Sequence, residues 1–393
     1  MPTSETGTDD GARLVDAAVG LGYRDVAGVP CSILDGVLQA AERHPDVRYL
    51  PAVDEGEAAA YAAGVRLAGG RALVVLQNSG LGNAVNPLAS LLVPYRLPAV
   101  LLVSWRGQPG RQDEEHHLPM GRATLPILDA LGIGARALGP EVDVADAFRR
   151  AHAEAEESGL PVALVVPRGR LGECRRTPAE PGPPPERRTA AVERFGGGAP
   201  AQRDPVVQAL ARLTEGEGKD APVVVSTTGY ASRALGRYDR DRFFYMQGSM
   251  GCATAVALGV ARRRPGRTVV VLDGDGALMM RMGALATVGH QSPANLAHLV
   301  LDNGGYLSTG GQPSSASTVD FAAAALACGY RRAARCDGAD GVEQALRWAL
   351  RPEEGPALLH LRIGTEEAAA PRPPLSPPQI AARFRRALAG EAA

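Results

Sequence analysis

The chain has 393 residues, 45% of them hydrophobic and 22% charged, and its 42 basic and 43 acidic side chains leave a net charge of -1. That length allows two or three domains with cores of their own. The charge balance gives no reason to expect nucleic acid or an anionic membrane as a partner. No apolar run reaches the roughly 18 residues that cross a bilayer. The opening MPTSETGTDDGARL is acidic and polar, unlike a secretory signal. The five cysteines, Cys31, Cys174, Cys252, Cys328 and Cys336, are scattered and form no CxxC. The expectation is a reducing, cytoplasmic setting with neither a disulfide framework nor a zinc site. Lys219 is the only lysine and lies in the polar run TEGEGKD. A Schiff-base lysine needs a dry pocket that lowers its pKa. Pyridoxal-phosphate chemistry and Walker-type phosphate binding are therefore disfavoured.

In chain order, short apolar runs predict strands at Val26 to Val29, Ala72 to Gln77, Ala99 to Ser104 and Val162 to Val166. Helical patterns fall between them at Ile33 to Arg43 and Glu55 to Leu67. The segment Arg175 to Pro200 is rich in Pro, Gly and charge and reads as a linker. The rhythm then resumes. Strands are expected at Val223 to Ser226, Thr268 to Leu272, Leu296 to Leu301 and Ala357 to Leu361. Helices are expected at Cys252 to Arg263, Ala277 to Gly289, Phe321 to Cys328 and Gln379 to Ala389. Alternating strands and helices imply an α/β fold of doubly wound parallel sheets, with ligands beyond the carboxyl ends of the strands. The division expected is residues 1–174, a linker over 175–203, and residues 204–393.

The strongest chemical signal is in the second half. The strand TVVVLDGDG runs into Gly274-Asp275-Gly276, a helix follows, and LAHLVLDNGGY brings Asn303 28 residues after Asp275. A carboxylate and an amide oxygen at the ends of parallel strands suit magnesium, a hard cation that takes oxygen ligands and keeps room for phosphates. The glycines let backbone approach a diphosphate. Two unrelated Asp/Asn-Gly turns would explain the glycines alone. They do not explain the strand-GDG-helix-strand-DNGG order.

That order resembles the thiamine-diphosphate signature, GDG followed at this distance by Asn. The resemblance implies metal ligation by Asp275, Asn303 and the main-chain oxygen of Gly305. It places Gly274, Gly276, Ala277 and the segment QGSMGCATAVALG, with Ser249 and Met250, against the cofactor. Met250 would prop its bent form, where an isolated methionine would be read as core. Thr228-Gly229, after the strand VVVS, matches a diphosphate-contacting turn. Thiamine enzymes also carry a glutamate at the start of a small-residue helix, beside the aminopyrimidine ring nitrogen. In DEGEAAAYAAG the register gives Glu55, nine residues before Gly64. Asp54 and Glu57 read as solvated acids favoured by the helix N-terminus.

Longer stretches are similar to the phosphonopyruvate decarboxylase family and the related sulfopyruvate decarboxylases. They are GVPCSILDG, QNSGLGNAVNPLASL, WRGQPG, DEEHHLPMG, FYMQGSMG, LDGDGALMMRMGALATVG and DNGGYLSTGGQ. The resemblance spans most of the chain apart from the linker and tail. It implies a decarboxylase of an acidic 2-oxo acid, with phosphonopyruvate leading and sulfopyruvate as the alternative, in phosphonate natural-product biosynthesis. It implies thiamine diphosphate and Mg2+ as cofactors. It also implies a homodimer or higher homo-oligomer with the active site at the subunit interface. Two departures bear on substrate. Tyr306 and Leu307 stand where the phosphonopyruvate group carries His and an acid, and His116 is extra beside His117. Arg106, Arg122 and His117 are the candidate cations for a polyanionic substrate. Ser32, Asn78, Ser79 and Tyr306 are candidate polar contacts, and His117 a candidate proton donor. For any one arginine a surface ion pair is the competing reading, and for His117 a pairing with Asp113 or Glu114.

Other classes of function are weaker. Gly80 to Val85 half-matches a dinucleotide fingerprint, but the third glycine is missing and no acid follows at the next strand end. A non-catalytic cofactor-binding homologue would not need Glu55 together with Asp275 and Asn303.

Overall fold

The computed structural model describes residues 6–172, 190–216, 218, 220–351, 354–365 and 370–390. The chain divides into two compact units, Met1–Arg66 with Gly70–Pro184 and Leu67–Gly69 with Pro185–Ala393. Lys219, Cys174 and residues 175–189 of the expected linker lie outside the described residues.

The first unit is built on strands β1 (Asp25–Gly28), β2 (Arg48–Pro51), β3 (Ala72–Gln77), β4 (Val100–Ser104), β5 (Gly134–Ala137) and β6 (Val162–Val166). They form one sheet in the order β2-β1-β3-β4-β6-β5, and every pairing is parallel. β4 and β6 are buried along their whole length. Helices on both faces of a parallel sheet explain why these strands read as unbroken apolar runs. On one face Leu73, Val75, Leu102 and Leu164 pack with Leu14, Val37 and Phe148 from three helices. Truncating Leu102 to Ala would cost about 2–5 kcal/mol.

The second unit holds β7 (Glu193–Phe195), β8 (Val223–Ser226), β9 (Phe243–Tyr245), β10 (Val269–Gly274), β11 (Leu296–Asp302), the short hairpin β12 (Gly305–Tyr306) and β13 (Gln312–Pro313), β14 (Arg332–Cys336) and β15 (Ala357–Arg362). The main sheet runs β7-β14-β15-β11-β10-β8-β9 and is parallel throughout. β10 and β11 are direct neighbours, with Gly274 opposite Leu301. The two halves of the GDG…Asn pattern thus leave adjacent strand ends.

Three expectations need correction. The helix read as Ala277 to Gly289 is two, Asp275–Met280 and Ala284–Gln291. The break begins at Arg281, whose φ of -137° and ψ of 51° are not helical and end the first helix. Inside the expected linker, Glu193–Phe195 pairs with β14 as an edge strand, and Arg203 opens the helix Arg203–Leu213. A three-residue edge strand has too little apolar pattern to be legible. Cys31, Cys252, Cys328 and Cys336 are all free thiols. No helix among the described residues is long and apolar enough to cross a membrane.

Candidate active site

In the second sheet the chain runs from β8 outward to β9 and then back across to β10. The order therefore reverses between β8 and β10, the place where doubly wound sheets bind ligands. A crevice opens there. Its walls come from the turn after β8, from Gly274 to Ala277 after β10, and from Asn303, Gly305 and Tyr306 after β11. Thr228, Gly229 and Met250 line it as well.

The backbone is shaped for a close approach. Gly229 has φ +84°, and Ser249, which is 2% exposed, has φ +54°. A non-glycine residue in this region costs on the order of 1 kcal/mol or more and is kept only where surrounding structure demands it. A Cβ on Gly276 would lie 2.3 Å from Cε1 of Tyr306, so the tyrosine ring rests on bare backbone. Met250 is half-buried at the crevice wall and is not a core methionine.

Asp275 is 4% exposed and begins a helix. Burial pushes its carboxyl pKa up, the hydrogen bond from Ser314 Oγ opposes that, and the nearby Asp302 carboxylate adds to the rise. Burial also works against ionisation of Asp302, but the His360 imidazole at 2.8 Å, the Gly304 N–H and Arg362 together hold this carboxyl below its usual range. A buried acid beside a second acid fits a bound cation. The donors around Asp275 at the crevice, an Asn side chain and main-chain carbonyls, are oxygens of the kind Mg2+ selects. The residues present therefore fit a magnesium diphosphate.

Two groups here escaped the sequence reading. Arg203 sits within the expected linker in sequence, yet its side chain is buried and lines the crevice, 5.5 Å over the Tyr230 ring. Burial lowers its pKa, while Tyr230, Asp204 and Asp275 raise it. Asp273, the first acid of DGDG, points instead into the core. It is 0% exposed and lies 3.5 Å from His298 Nε2, and His298 Nδ1 lies 3.1 Å from the Tyr330 hydroxyl.

The first unit has a reversal of its own, between β1 and β3. Cys31 and Gln77 meet beyond these strand ends, with the thiol donating to Gln77 Oε1 at 3.3 Å. Glu55 opens the helix Glu55–Leu67 and is 8% exposed. Its Oε2 accepts a hydrogen bond of 2.8 Å from Asn83 Nδ2. Its Oε1 lies against Gly80, where a Cβ would come within 1.9 Å. Glu57 is not the solvated acid its position suggests. It is 1% exposed and accepts the Val53 N–H at 2.8 Å, while Asp54 Oδ1 accepts the Glu57 N–H at 3.0 Å. The pair caps the helix.

The expected substrate contacts divide. Ser32 and Ser79 are exposed, and Ser79 accepts from Gln77 Nε2 at 2.6 Å. Asn78 is 1% exposed and fully engaged. Its amide donates to Arg106 O at 2.8 Å and Thr124 Oγ1 at 3.0 Å, and its oxygen accepts the Arg106 N–H at 3.1 Å. Arg106 is also occupied. Its Nε and Nη2 donate to both oxygens of Asp113, at 2.9 Å and 2.7 Å. Asp113 further accepts the Gly107 N–H at 2.7 Å, and with Arg106 this holds its pKa far below the carboxylate range. Arg106 and Asn78, expected as substrate contacts, thus meet each other and Asp113 in a loop clamp, the ion-pair reading of Arg106. The clamp shapes the turn against His117, since a Cβ on Gly107 would lie 2.1 Å from His117 O. Arg122 is exposed.

A clamp supports the fold and not one substrate. Arg106→Ala is therefore expected to lower kcat/KM on different 2-oxo acids alike and to reduce stability, because Asp113 keeps only the Gly107 and Glu114 N–H groups and the more distant Arg168. The depressed Asp113 pKa stabilises the fold above the unfolded carboxylate value, and this is lost only as pH falls through the lower folded value. Urea unfolding at pH 7 and in strong acid checks both statements.

Residues 10–127 match the model of the thiamine pyrophosphate enzyme N-terminal TPP binding domain, and residues 224–361 that of the C-terminal TPP binding domain. The phosphonopyruvate decarboxylase of Streptomyces viridochromogenes is 45% identical over 95% of this chain and 94% of its own length. The chain belongs to the thiamine pyrophosphate enzyme family. Within this family it is also similar to the sulfopyruvate decarboxylase of Methanosarcina acetivorans, at 30% identity over 92% of this chain and 93% of that protein. The fold matches that of benzoylformate decarboxylase from Polynucleobacter necessarius, with a TM-score of 0.69 at 15% identity over 91% of this chain and 99% of that one. As a thiamine pyrophosphate enzyme with decarboxylase relatives, the chain is a carboxy-lyase that uses thiamine diphosphate.

Proposed function

We propose that this carboxy-lyase converts phosphonopyruvate to phosphonoacetaldehyde and carbon dioxide, with thiamine diphosphate and Mg2+, in phosphonate natural-product biosynthesis. The observation that carries the reading is the higher identity, over nearly the whole chain, to a phosphonopyruvate decarboxylase than to a sulfopyruvate decarboxylase. One carbon–carbon bond breaks and one proton is taken up, so the site must hold a proton as well as a polyanion. In this reading the enzyme is a cytoplasmic homodimer or higher homo-oligomer with its active site at the subunit interface.

When bound, thiamine diphosphate supplies the electron sink for loss of the carboxylate. Asp275, Asn303 and the Gly305 carbonyl would hold Mg2+. Thr228, Gly229 and Arg203 would take the diphosphate, while Ser249, Met250, Gly274, Gly276 and Ala277 shape its bed. Tyr306 would face the substrate beside them. Glu55 would hold a proton at its Oε1, with Oε2 fixed by Asn83.

His117 would deliver the proton that replaces the carboxylate. It is 8% exposed, and burial first, then Arg106 and His116, keep its pKa below the ordinary 6.5, against Asp113 and Glu114, which raise it. Its protonated fraction therefore declines as pH rises through that lower value. We expect kcat/KM to fall on that limb. His117→Gln should abolish the limb and lower the rate by roughly 10²-fold. His116→Gln should do neither, because His116 is exposed. A retained limb in His117→Gln excludes this residue as the donor.

The function itself is tested on the wild type with phosphonopyruvate, sulfopyruvate and pyruvate. We expect kcat/KM for phosphonopyruvate to exceed that for pyruvate by at least about 10²-fold, the scale set by a site built for a charged group. A preference for sulfopyruvate would overturn the choice of anion and direct attention to Tyr306 and Leu307.

A further inference from the structure

With Arg106 committed to Asp113, the second anion of the substrate needs other donors. A second cavity in the second unit shares the Thr228–Gly229 turn and Ser308 with the cofactor crevice. Arg233 and Arg372 line it, with Gln247 between the β9 end and the chain after residue 370. No Asp or Glu is among its lining residues.

The Arg233 side chain and the backbone that carries Arg372 are held in place. The Arg233 guanidinium lies 5.0 Å from the Tyr230 ring centroid, which orients it without using its N–H groups. Arg372 precedes Pro373, and Pro373 Cγ is 3.0 Å from where a Cβ on Gly236 would stand. Two residues further, the Leu375 carbonyl accepts from Gln247 Nε2 at 3.0 Å. The helix Pro377–Ala389 then anchors the segment, through Phe384 on Phe244 and Arg383 on both oxygens of Asp239 at 2.7 Å.

The neighbouring acids are spent elsewhere. Asp239 takes Arg383 and the Tyr245 hydroxyl, Asp241 faces Arg383, and Asp204 pairs with Arg237. Among the described residues neither Arg233 nor Arg372 forms an ion pair with a carboxylate. Two planar forks in a cavity without an acid make a seat for a tetrahedral oxyanion.

We propose that Arg233 and Arg372 bind the phosphonate group of the substrate in this cavity, next to the cofactor crevice. This rests on the decarboxylase reading above and names the residues that make it selective. Two cations suit a dianion better than the single charge of a sulfonate. Tyr306 and Leu307 can then replace a His and an acid without loss of the anion site, because the charge is supplied from the helix Tyr230–Leu235 and the C-terminal segment.

The same oxyanion chemistry belongs to the cofactor's diphosphate, so the test separates the two. Arg372→Gln and Arg233→Gln are prepared in the full chain with thiamine diphosphate and Mg2+. Three quantities are read: the kcat/KM ratio of phosphonopyruvate to pyruvate, the Kd of the non-reacting phosphonoacetate by calorimetry, and the Kd of thiamine diphosphate. We expect the ratio to fall and the phosphonoacetate Kd to rise, each by about 10-fold or more per variant, the scale of a charged hydrogen bond. Arg372→Lys should recover part of both, and the thiamine diphosphate Kd should stay within about threefold, well under the effect of one such bond. An unchanged ratio with unchanged phosphonoacetate binding overturns the proposal, and so does a loss of thiamine diphosphate affinity, which would give the cavity to the diphosphate. If Arg233→Gln fails to fold, Arg372→Gln, at an exposed position, decides alone. The wild-type substrate panel tests the decarboxylase reading separately. Phosphonoacetate binding by the variants judges the cavity whichever way that panel falls.

Discussion

Glu55→Gln is expected to lower kcat/KM by roughly 10²-fold or more, the usual contribution of a placed acid or base. The substitution keeps the shape and the length of the side chain. It also keeps an oxygen to accept from Asn83 Nδ2, now 2.8 Å away. What it removes is the ability to hold a proton at the atom that faces Gly80. Thiamine diphosphate should still bind, and exchange of its thiazolium proton should slow with the rate. Glu57→Gln sets the comparison. Glu57 caps the helix through the Val53 N–H, so its loss should lower the melting temperature with little effect on proton exchange. A crippled Glu57→Gln beside a near-normal Glu55→Gln would show that the register was set two residues out. Gly80→Ala adds a second check, because its Cβ would collide with the carboxylate and displace it without touching its chemistry.

The helix Glu55–Leu67 was legible in the sequence because acids at its start and a small-residue run mark it together. The strands of both sheets were legible for a related reason. Burial on two faces forces unbroken runs such as VLLVS and VALVV, which composition alone reveals. Edge elements gave no such signal. β5 reads GARA and is largely exposed, and β7 is three residues held by pairing with β14. Partners distant in sequence were also out of reach. For Arg106 the sequence left a substrate contact and an ion pair both open, and Asp113 proves to face it. The acidic run Asp113-Glu114-Glu115 shows that an acid is near, but not which one turns inward. Arg203 looked like part of a linker, since one buried polar residue at a helix start leaves no periodic trace. Arg372 lies in a Pro-rich stretch, and contacts distant in sequence, such as the Gln247 to Leu375 bond, bring it to the cavity. Backbone geometry and apolar faces are written locally, whereas the pairing of charges depends on which loops meet.

Asp275→Ala and Asn303→Ala should each weaken thiamine diphosphate binding at fixed Mg2+ by at least about 10²-fold. Groups that only orient metal ligands already contribute 10–100-fold, so a ligand should contribute no less. The two residues leave adjacent strands, which lets one ion draw on both. The apo and holo proteins should respond differently. Without Mg2+, Asp275 is a buried carboxyl whose charge is opposed by burial and by Asp302. Removing it should change the stability of the apoprotein little, because the Ser314 hydrogen bond is lost together with a buried acid whose charge burial opposes. With Mg2+ and thiamine diphosphate the wild type gains stability in proportion to the affinity, and the variant loses that gain. Melting curves with and without the pair of ligands therefore separate a metal ligand from a structural acid. Ser314→Ala gives the intermediate case. Its hydroxyl donates to Asp275 and only orients it, so cofactor affinity should fall by about 10-fold. Equal affinity in Asp275→Ala, Asn303→Ala and the wild type would remove the metal from this crevice, and with it the reason for two acids to sit so close at the ends of β10 and β11.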